Sequence, residues 1–194
     1  MISTTLIGRR TGGRHTGGRR SGFTLAEVLV TLAIIAVMAA VLLPALNSQL
    51  TKGDTGRLAS DLTSLQTAAQ AFVSDVHRYP ASVAELTTLT SVTNDVSGTA
   101  IPATLVAKWK GPYLTKDVIG NTAGGVISAT FSSVLNTSNN VSYLTVTVTG
   151  ISLADFNAID AILDEGITGG SSTGSVRYTV AASGTLTFLA LPIQ

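Results

Sequence analysis

Cysteine is absent from all 194 residues. That excludes thiol nucleophiles, cysteine-ligated metal and disulfide bracing. Histidine is nearly absent: His15 and His77 stand far apart, and neither has a nucleophile beside it in sequence, a poor basis for acid–base catalysis. The glycine pairs at 12–13 and 17–18 lack the preceding strand and the lysine of a phosphate-binding loop. No acid precedes Glu27. These gaps predict a chain that is not an enzyme, with no catalytic residues, no metal and no cofactor.

What is present is concentrated near the start. Arg9, Arg10, Arg14, Arg19 and Arg20 are five of the twelve basic residues, which leaves seven basic against eleven acidic residues after them. Residues 1–22, rich in Gly, Arg and Thr, read as a disordered leader. From Phe23 to Leu46 run 24 residues whose one charge is Glu27. A helix of that length spans about 36 Å, enough for a hydrocarbon core of about 30 Å. An acid at mid-membrane costs about 2.5–3.5 kcal/mol, so a lone carboxylate in such a segment points to function. Positive charge flanking an apolar helix marks the cytoplasmic side, which predicts a leader inside and an acidic remainder that crosses the membrane. An ordinary secretory signal has only about 7–15 apolar residues. A plain anchor accounts for the apolar run but not for the spacing of Gly22 and Glu27. A polybasic tract also suits nucleic acid, but this one ends flush against the apolar segment, and no nucleic-acid partner is expected.

Beyond the apolar run, Leu58, Leu62, Leu65, Ala69, Phe72 and Val76 recur at spacings of four and three. That is one face of an amphipathic helix, with Asp61, Gln66, Gln70 and Asp75 expected on other faces. The predicted helix covers 23–78, with 23–46 as the transmembrane part and 47–78 as the amphipathic part. Pro44, Gly53 and Gly56 are its weak points, and His77-Arg78-Tyr79-Pro80 is its end. Residues 79–194 form the remaining domain. Ser82 and Glu85 have capping-box spacing before a short helix, and Ser152 to Asp155 repeat the pattern before a helix to about Leu163. Strands are predicted at Val126–Phe131, Val141–Thr149, Ser175–Ala181 and Thr185–Leu191. Ala182-Ser183-Gly184 is the predicted turn between the last two. Asp164-Glu165-Gly166 and the Gly/Ser-rich run to Gly174 are predicted as an exposed loop. The fold class is α+β.

The segment from Arg19 to Leu46 resembles the N-terminus of prepilins and pseudopilins, the subunits of type IV pili and type II secretion pseudopili. Gly22 closes a basic leader, Phe23 follows it, Glu27 stands five residues after the glycine and Pro44 twenty-two after it. The resemblance implies a pilin-like fold: a long bent N-terminal helix on an antiparallel sheet of about four strands. It implies cleavage between Gly22 and Phe23 by a membrane prepilin peptidase, methylation of the new amine on Phe23, and pairing of Glu27 with the Phe23 amine of a neighbouring subunit. Pro44 is the implied kink. The implied partners are other copies in a helical homopolymer, the peptidase, an inner-membrane assembly platform and an assembly ATPase. The precursor is expected in the inner membrane with its head periplasmic, and the assembled subunit in an extracellular pilus or a periplasmic pseudopilus. The expected function is a type IV pilus subunit serving adhesion, motility or surface interaction. The alternatives are a major-type pseudopilin of a secretion or DNA-uptake system and a single-pass anchored binding protein.

Two features bear on subtype. Trp109-Lys110-Gly111-Pro112-Tyr113-Leu114 is similar to a Gly-Pro-Tyr-Leu segment of major pseudopilins, although Asp117-Val118-Ile119-Gly120-Asn121 stands where they continue differently. On physical grounds alone, Trp109 and Tyr113 are expected to pin a loop onto the sheet. The disulfide-closed loop of many pilins is ruled out by the lack of cysteine. The resemblance to major pseudopilins, in which a loop holds calcium, makes Asp160, Asp164 and Glu165 candidates for that role, but their pattern is not an EF-hand, and helix-end and loop solvation is the expected role.

Overall fold

The computed structural model describes residues 22–115, 121–122, 125–164, 172–179 and 184–194. Two units are distinguished, residues 1–43 and Pro44–Gln194. Helix α1, Leu25–Val76, has Pro44 inside it and supplies residues to both.

In the first unit, every large apolar side chain from Phe23 to Leu43 is exposed. An 18-residue window of α1 has mean hydropathy 2.8, and none of it is buried. The helix is therefore long and apolar enough to cross a membrane.

In the second unit, α1 packs on an antiparallel sheet, the α+β arrangement that the sequence predicts. Leu58, Leu62, Leu65, Ala69, Phe72 and Val76 are all fully buried. They meet Ile127, Leu144, Val146, Val148, Leu186 and Phe188 in one core. Burial of each large side chain contributes about 1.5–3 kcal/mol. Asp61 departs from expectation: it is 1% exposed, with Arg57 Nε 3.7 Å from its Oδ2. It stands three residues after Leu58 and four before Leu65, so helical geometry places it on the buried face. The helix ends two residues before Arg78. His77 takes a left-handed conformation (φ 60°) and its amide donates to the Val73 carbonyl at 2.9 Å. Reversal at His77, ahead of Pro80, terminates α1 in the manner of a C-terminal cap.

The sheet is more finely divided than four strands. Its segments are β1 (Asn121–Thr122), β2 (Gly125–Ile127), β3 (Ser132–Asn136), β4 (Val141–Thr149), β5 (Val176–Thr179) and β6 (Thr185–Pro192). The spatial order is β1-β2-β4-β6-β5, with β3 also pairing β4. The strand predicted over Val126–Phe131 breaks after Ile127. Val83 donates to the Ala129 carbonyl and Phe131 to the Ala81 carbonyl, both at 2.9 Å. Ser128 still donates to the Thr147 carbonyl of β4 at 2.8 Å, but this competing ladder draws residues 129–131 to Ala81 and Val83, and Phe131 is buried. β4 and β6 are joined throughout, with a register irregularity at Leu144/Thr145. Gln66 of α1 donates its amide to the Ala190 carbonyl there at 2.7 Å, satisfying an acceptor that the irregular ladder leaves over.

Helices α2 (Ala84–Thr87) and α3 (Ala103–Val106) lie between α1 and the sheet in sequence, and α4 (Leu153–Leu163) joins β4 to β5. Ser152 caps α4 as its sequence predicts, accepting from the Asp155 amide at 3.1 Å. Ser82 does not cap α2. Its hydroxyl instead donates to Glu85 Oε1 at 3.5 Å, and Glu85 Oε2 accepts from the Ala81 amide at 3.2 Å. The β5–β6 pair forms as predicted, though Ala182 and Ser183 lie outside the described residues. Gly184, with φ 43°, sits where a Cβ would overlap the Ile151 carbonyl and the Tyr178 hydroxyl. Only glycine fits there.

Trp109 and Tyr113 pin their loop to the helices and not, as predicted, to the sheet. The indole donates to the Glu85 carbonyl at 3.0 Å. The Tyr113 ring stands edge-on to Phe72 of α1 at 5.9 Å and to Trp109 at 5.5 Å. Its hydroxyl donates to Asp75 Oδ2 at 2.9 Å, while Lys110 Nζ reaches Oδ1 at 3.1 Å. The Lys110 and Tyr113 hydrogen bonds hold the Asp75 carboxyl below the usual carboxylate range.

Candidate functional site

Three of the four residues singled out by sequence, Gly22, Phe23 and Glu27, gather at the start of α1. Gly22, Phe23 and Thr24 precede the helix, and Glu27 lies in its first turn. Among the described residues, a Cβ built on Gly22 would meet nothing within 4 Å, so none of them obstructs approach to the backbone at the Gly22–Phe23 bond. Phe23 is 89% exposed. Pro44 lies farther along α1 and is not part of this cluster.

Thr24 is the residue that the sequence reading passed over. Its hydroxyl accepts from the Glu27 amide at 3.2 Å and donates to Glu27 Oε2 at 2.9 Å. Its own amide donates to the same oxygen at 2.8 Å. This is a reciprocal capping box, two otherwise unpartnered amides satisfied by each other's side chains. The signal was present as Thr-x-x-Glu just ahead of an apolar run. The arrangement explains why the helix begins at Leu25. It also places a carboxylate at the positive end of the helix dipole, where negative charge is favoured. Both bonds from Thr24 converge on Oε2, so the carboxylate is turned back towards the chain's start.

The acids considered for calcium behave differently from the prediction of solvation. Asp164 is buried, and its Oδ2 accepts from the amides of Ser175 at 2.8 Å and Val176 at 2.9 Å. The Ser175 hydroxyl donates to Oδ1. Asp164 thus fastens the start of β5 to the end of α4. Burial, then the Asp164 charge, pushes the Asp160 carboxyl up. Glu165 and most of the predicted loop lie outside the described residues, as do residues 116–120 of the segment after Leu114; Ser172, Thr173 and Gly174 are exposed. Among the described residues no group of three or more His, Asp or Glu side chains gathers to hold a metal.

Part of the sequence matches known proteins. A family model described as the prokaryotic N-terminal methylation motif matches residues 18–43. Type II secretion system core protein G of Pectobacterium carotovorum subsp. carotovorum is 36% identical over 61 residues, 31% of this chain and 39% of that protein. The protein of the same description from Escherichia coli (strain K12) is 37% identical over 59 residues, 30% of this chain and 41% of that protein. The chain therefore spans about two fifths of the length of these relatives. No solved structure matches. The chain thus carries a match to the prokaryotic N-terminal methylation motif, and over about a third of its length it is similar to type II secretion system core protein G.

Proposed function

We propose that this protein is a structural subunit, made as a membrane-anchored precursor, trimmed between Gly22 and Phe23, methylated on Phe23 and polymerised into a filament. The observation that carries this reading is the cluster of Gly22, Phe23, Thr24 and Glu27 at the start of an uncovered apolar helix, inside the matched methylation motif. Hydrolysis at Gly22 turns the Phe23 amide into an ammonium. Opposite charges in an apolar interior are tolerated only when paired. Glu27 is the one acid in the apolar run, so it is the counterion on offer. Its own Thr24 bonds steady the carboxylate before a neighbour arrives.

Pairing from Phe23 of one copy to Glu27 of the next sets axial register. The contact is head-to-tail and does not close, so it generates a filament and not a ring. The apolar segment first anchors the precursor and then packs against copies of itself. Lipid is as apolar as leucine, so extraction needs replacement contacts and external work, here assigned to an assembly ATPase acting through a membrane platform. The leader arginines keep the start of the chain cytoplasmic and the head on the far side. Similarity to core protein G supports a secretion pseudopilus over an adhesive or motility pilus.

The test is expression beside a prepilin peptidase and its assembly machinery. Wild-type chain should lose its leader and appear in sheared filaments. Glu27→Ala should insert in the membrane without polymerising. A chain that stays monomeric, untrimmed and membrane-bound would point to a single-pass anchored binding module instead.

A further inference from the structure

Neither charge nor proline occurs between Asp117 and Asp155. Among the described residues, β3 pairs with β4 and with no other strand, so its outer edge is bare. Val134 and Leu135 on it are 43% and 52% exposed. An open edge can template pairing with another chain, and proteins ordinarily blunt it with lysine, proline or a cover. β3 has no lysine or proline. At the tip of the β3–β4 hairpin stand two sites of the form Asn-x-Ser, Asn136-Thr137-Ser138 and Asn140-Val141-Ser142. No other asparagine in the chain has Ser or Thr two positions after it. That spacing is the acceptor signature for an N-linked glycan. The structure separates the two sites. Asn136 is 8% exposed, and its Oδ1 accepts from the Ser138 amide at 3.1 Å. Asn139, between them, donates from Nδ2 to the Tyr143 hydroxyl at 3.0 Å and accepts at Oδ1 from the Val141 amide at 3.2 Å. Asn140 is exposed, and its side-chain amide is unengaged among the described residues. Its φ of 56° is left-handed, a conformation that asparagine tolerates at a turn.

We propose that Asn140 is the acceptor for an N-linked glycan, transferred from a lipid-linked pyrophosphate donor by a separate glycosyltransferase on the far side of the membrane. In that step Asn140 Nδ2 bonds to the anomeric carbon of the sugar as the bond from that carbon to the pyrophosphate oxygen breaks. The nitrogen gives up one proton to a base of the transferase, and the lipid pyrophosphate leaves. The product supplies what the hairpin lacks. Asn140 adjoins Val141, which pairs with Asn136 at the end of β3, so a bulky, hydrated glycan there covers the bare edge beside Val134 and Leu135. The proposal takes from the filament reading only that the head crosses the membrane.

The test is mass spectrometry of the full-length protein purified from its own cells, reading both the N-terminus and the peptide that holds residue 140. The expected result is a mass increment of whole sugar residues at Asn140, lost in Asn140→Gln and in Ser142→Ala and retained in Asn136→Gln. Ser142→Ala keeps the asparagine and the Ser142 carbonyl that accepts from the Ile193 amide at 2.7 Å, so it separates recognition by the transferase from folding. Light scattering should show self-association in Asn140→Gln that the wild type lacks and that a further Val134→Lys abolishes. A bare Asn140 in trimmed, polymerised protein, or an increment that survives Asn140→Gln, overturns the glycan assignment and leaves the filament reading intact. A glycosylated wild type whose Asn140→Gln variant associates no more than it does overturns the shielding role. A glycosylated chain that is untrimmed and monomeric overturns the filament reading alone, and a bare, untrimmed monomer overturns both.

Discussion

The backbone amide of Thr24 donates to Glu27 Oε2 at 2.8 Å, and the Thr24 hydroxyl accepts in return from the Glu27 amide at 3.2 Å. Each residue completes the other's hydrogen bonding at the start of α1. Thr24→Ala removes the hydroxyl from this exchange, and amide hydrogen exchange at Glu27 and Val28 should quicken while membrane insertion is unchanged. Thr24→Ser keeps the oxygen and should exchange as the wild type does. Equal exchange in all three proteins would show that the cap does not set the start of the helix.

Glu85 gives the head a pH dependence. It is 2% exposed, and burial pushes its carboxyl up to about 7 from 4.5. Bonds from Ala81 and Ser82 pull the other way, and the nearby Asp95 charge, itself facing Arg78 at 3.7 Å, adds to the rise. The folded state holds the proton more tightly than the unfolded state, so the contribution of Glu85 is full below about pH 4.5 and is lost as pH rises through about 7. The full loss is about 3 kcal/mol. Denaturant midpoints at pH 5 and pH 8 measure it, and Glu85→Gln should flatten the difference. Asp75 is held below the usual carboxylate range, so its contribution is lost only at lower pH.

Phe72 anchors the core where α1 meets the loop of Tyr113. It is fully buried and edge-on to that ring at 5.9 Å. Phe72→Ala should cost about 3–5 kcal/mol in chemical denaturation of the full chain. Tyr113→Phe keeps the ring and removes the bond to Asp75. Its smaller cost, about 1 kcal/mol, separates the hydroxyl from the packing.

Gly184 is fixed by close approach as well as by conformation. Gly184→Ala should destabilise the head by more than about 1 kcal/mol, because the native φ and the Ile151 carbonyl both oppose a Cβ. Unchanged melting would mean that the turn into β6 rearranges freely.

Helical periodicity made the buried face of α1 legible, from Leu58 to Val76, and the capping of α4 by Ser152 was legible for the same local reason. Asp61 was misplaced because polarity was weighed above its spacing from Leu58 and Leu65. The break after Ile127 was not legible, since it depends on residues 81–83 reaching 129–131 across the chain. The pinning of Trp109 to Glu85 is long-range in the same sense. At the candidate site, Gly22, Phe23 and Glu27 stood out by spacing, while Thr24 carried a legible Thr-x-x-Glu signal hidden by attention to the acid alone.

The most direct test is mass spectrometry of the N-terminus of polymerised protein. The account predicts a chain that begins at Phe23 and carries a methyl group on its amine. Filaments built from chains that still carry Arg19, Arg20 and Gly22 would contradict it.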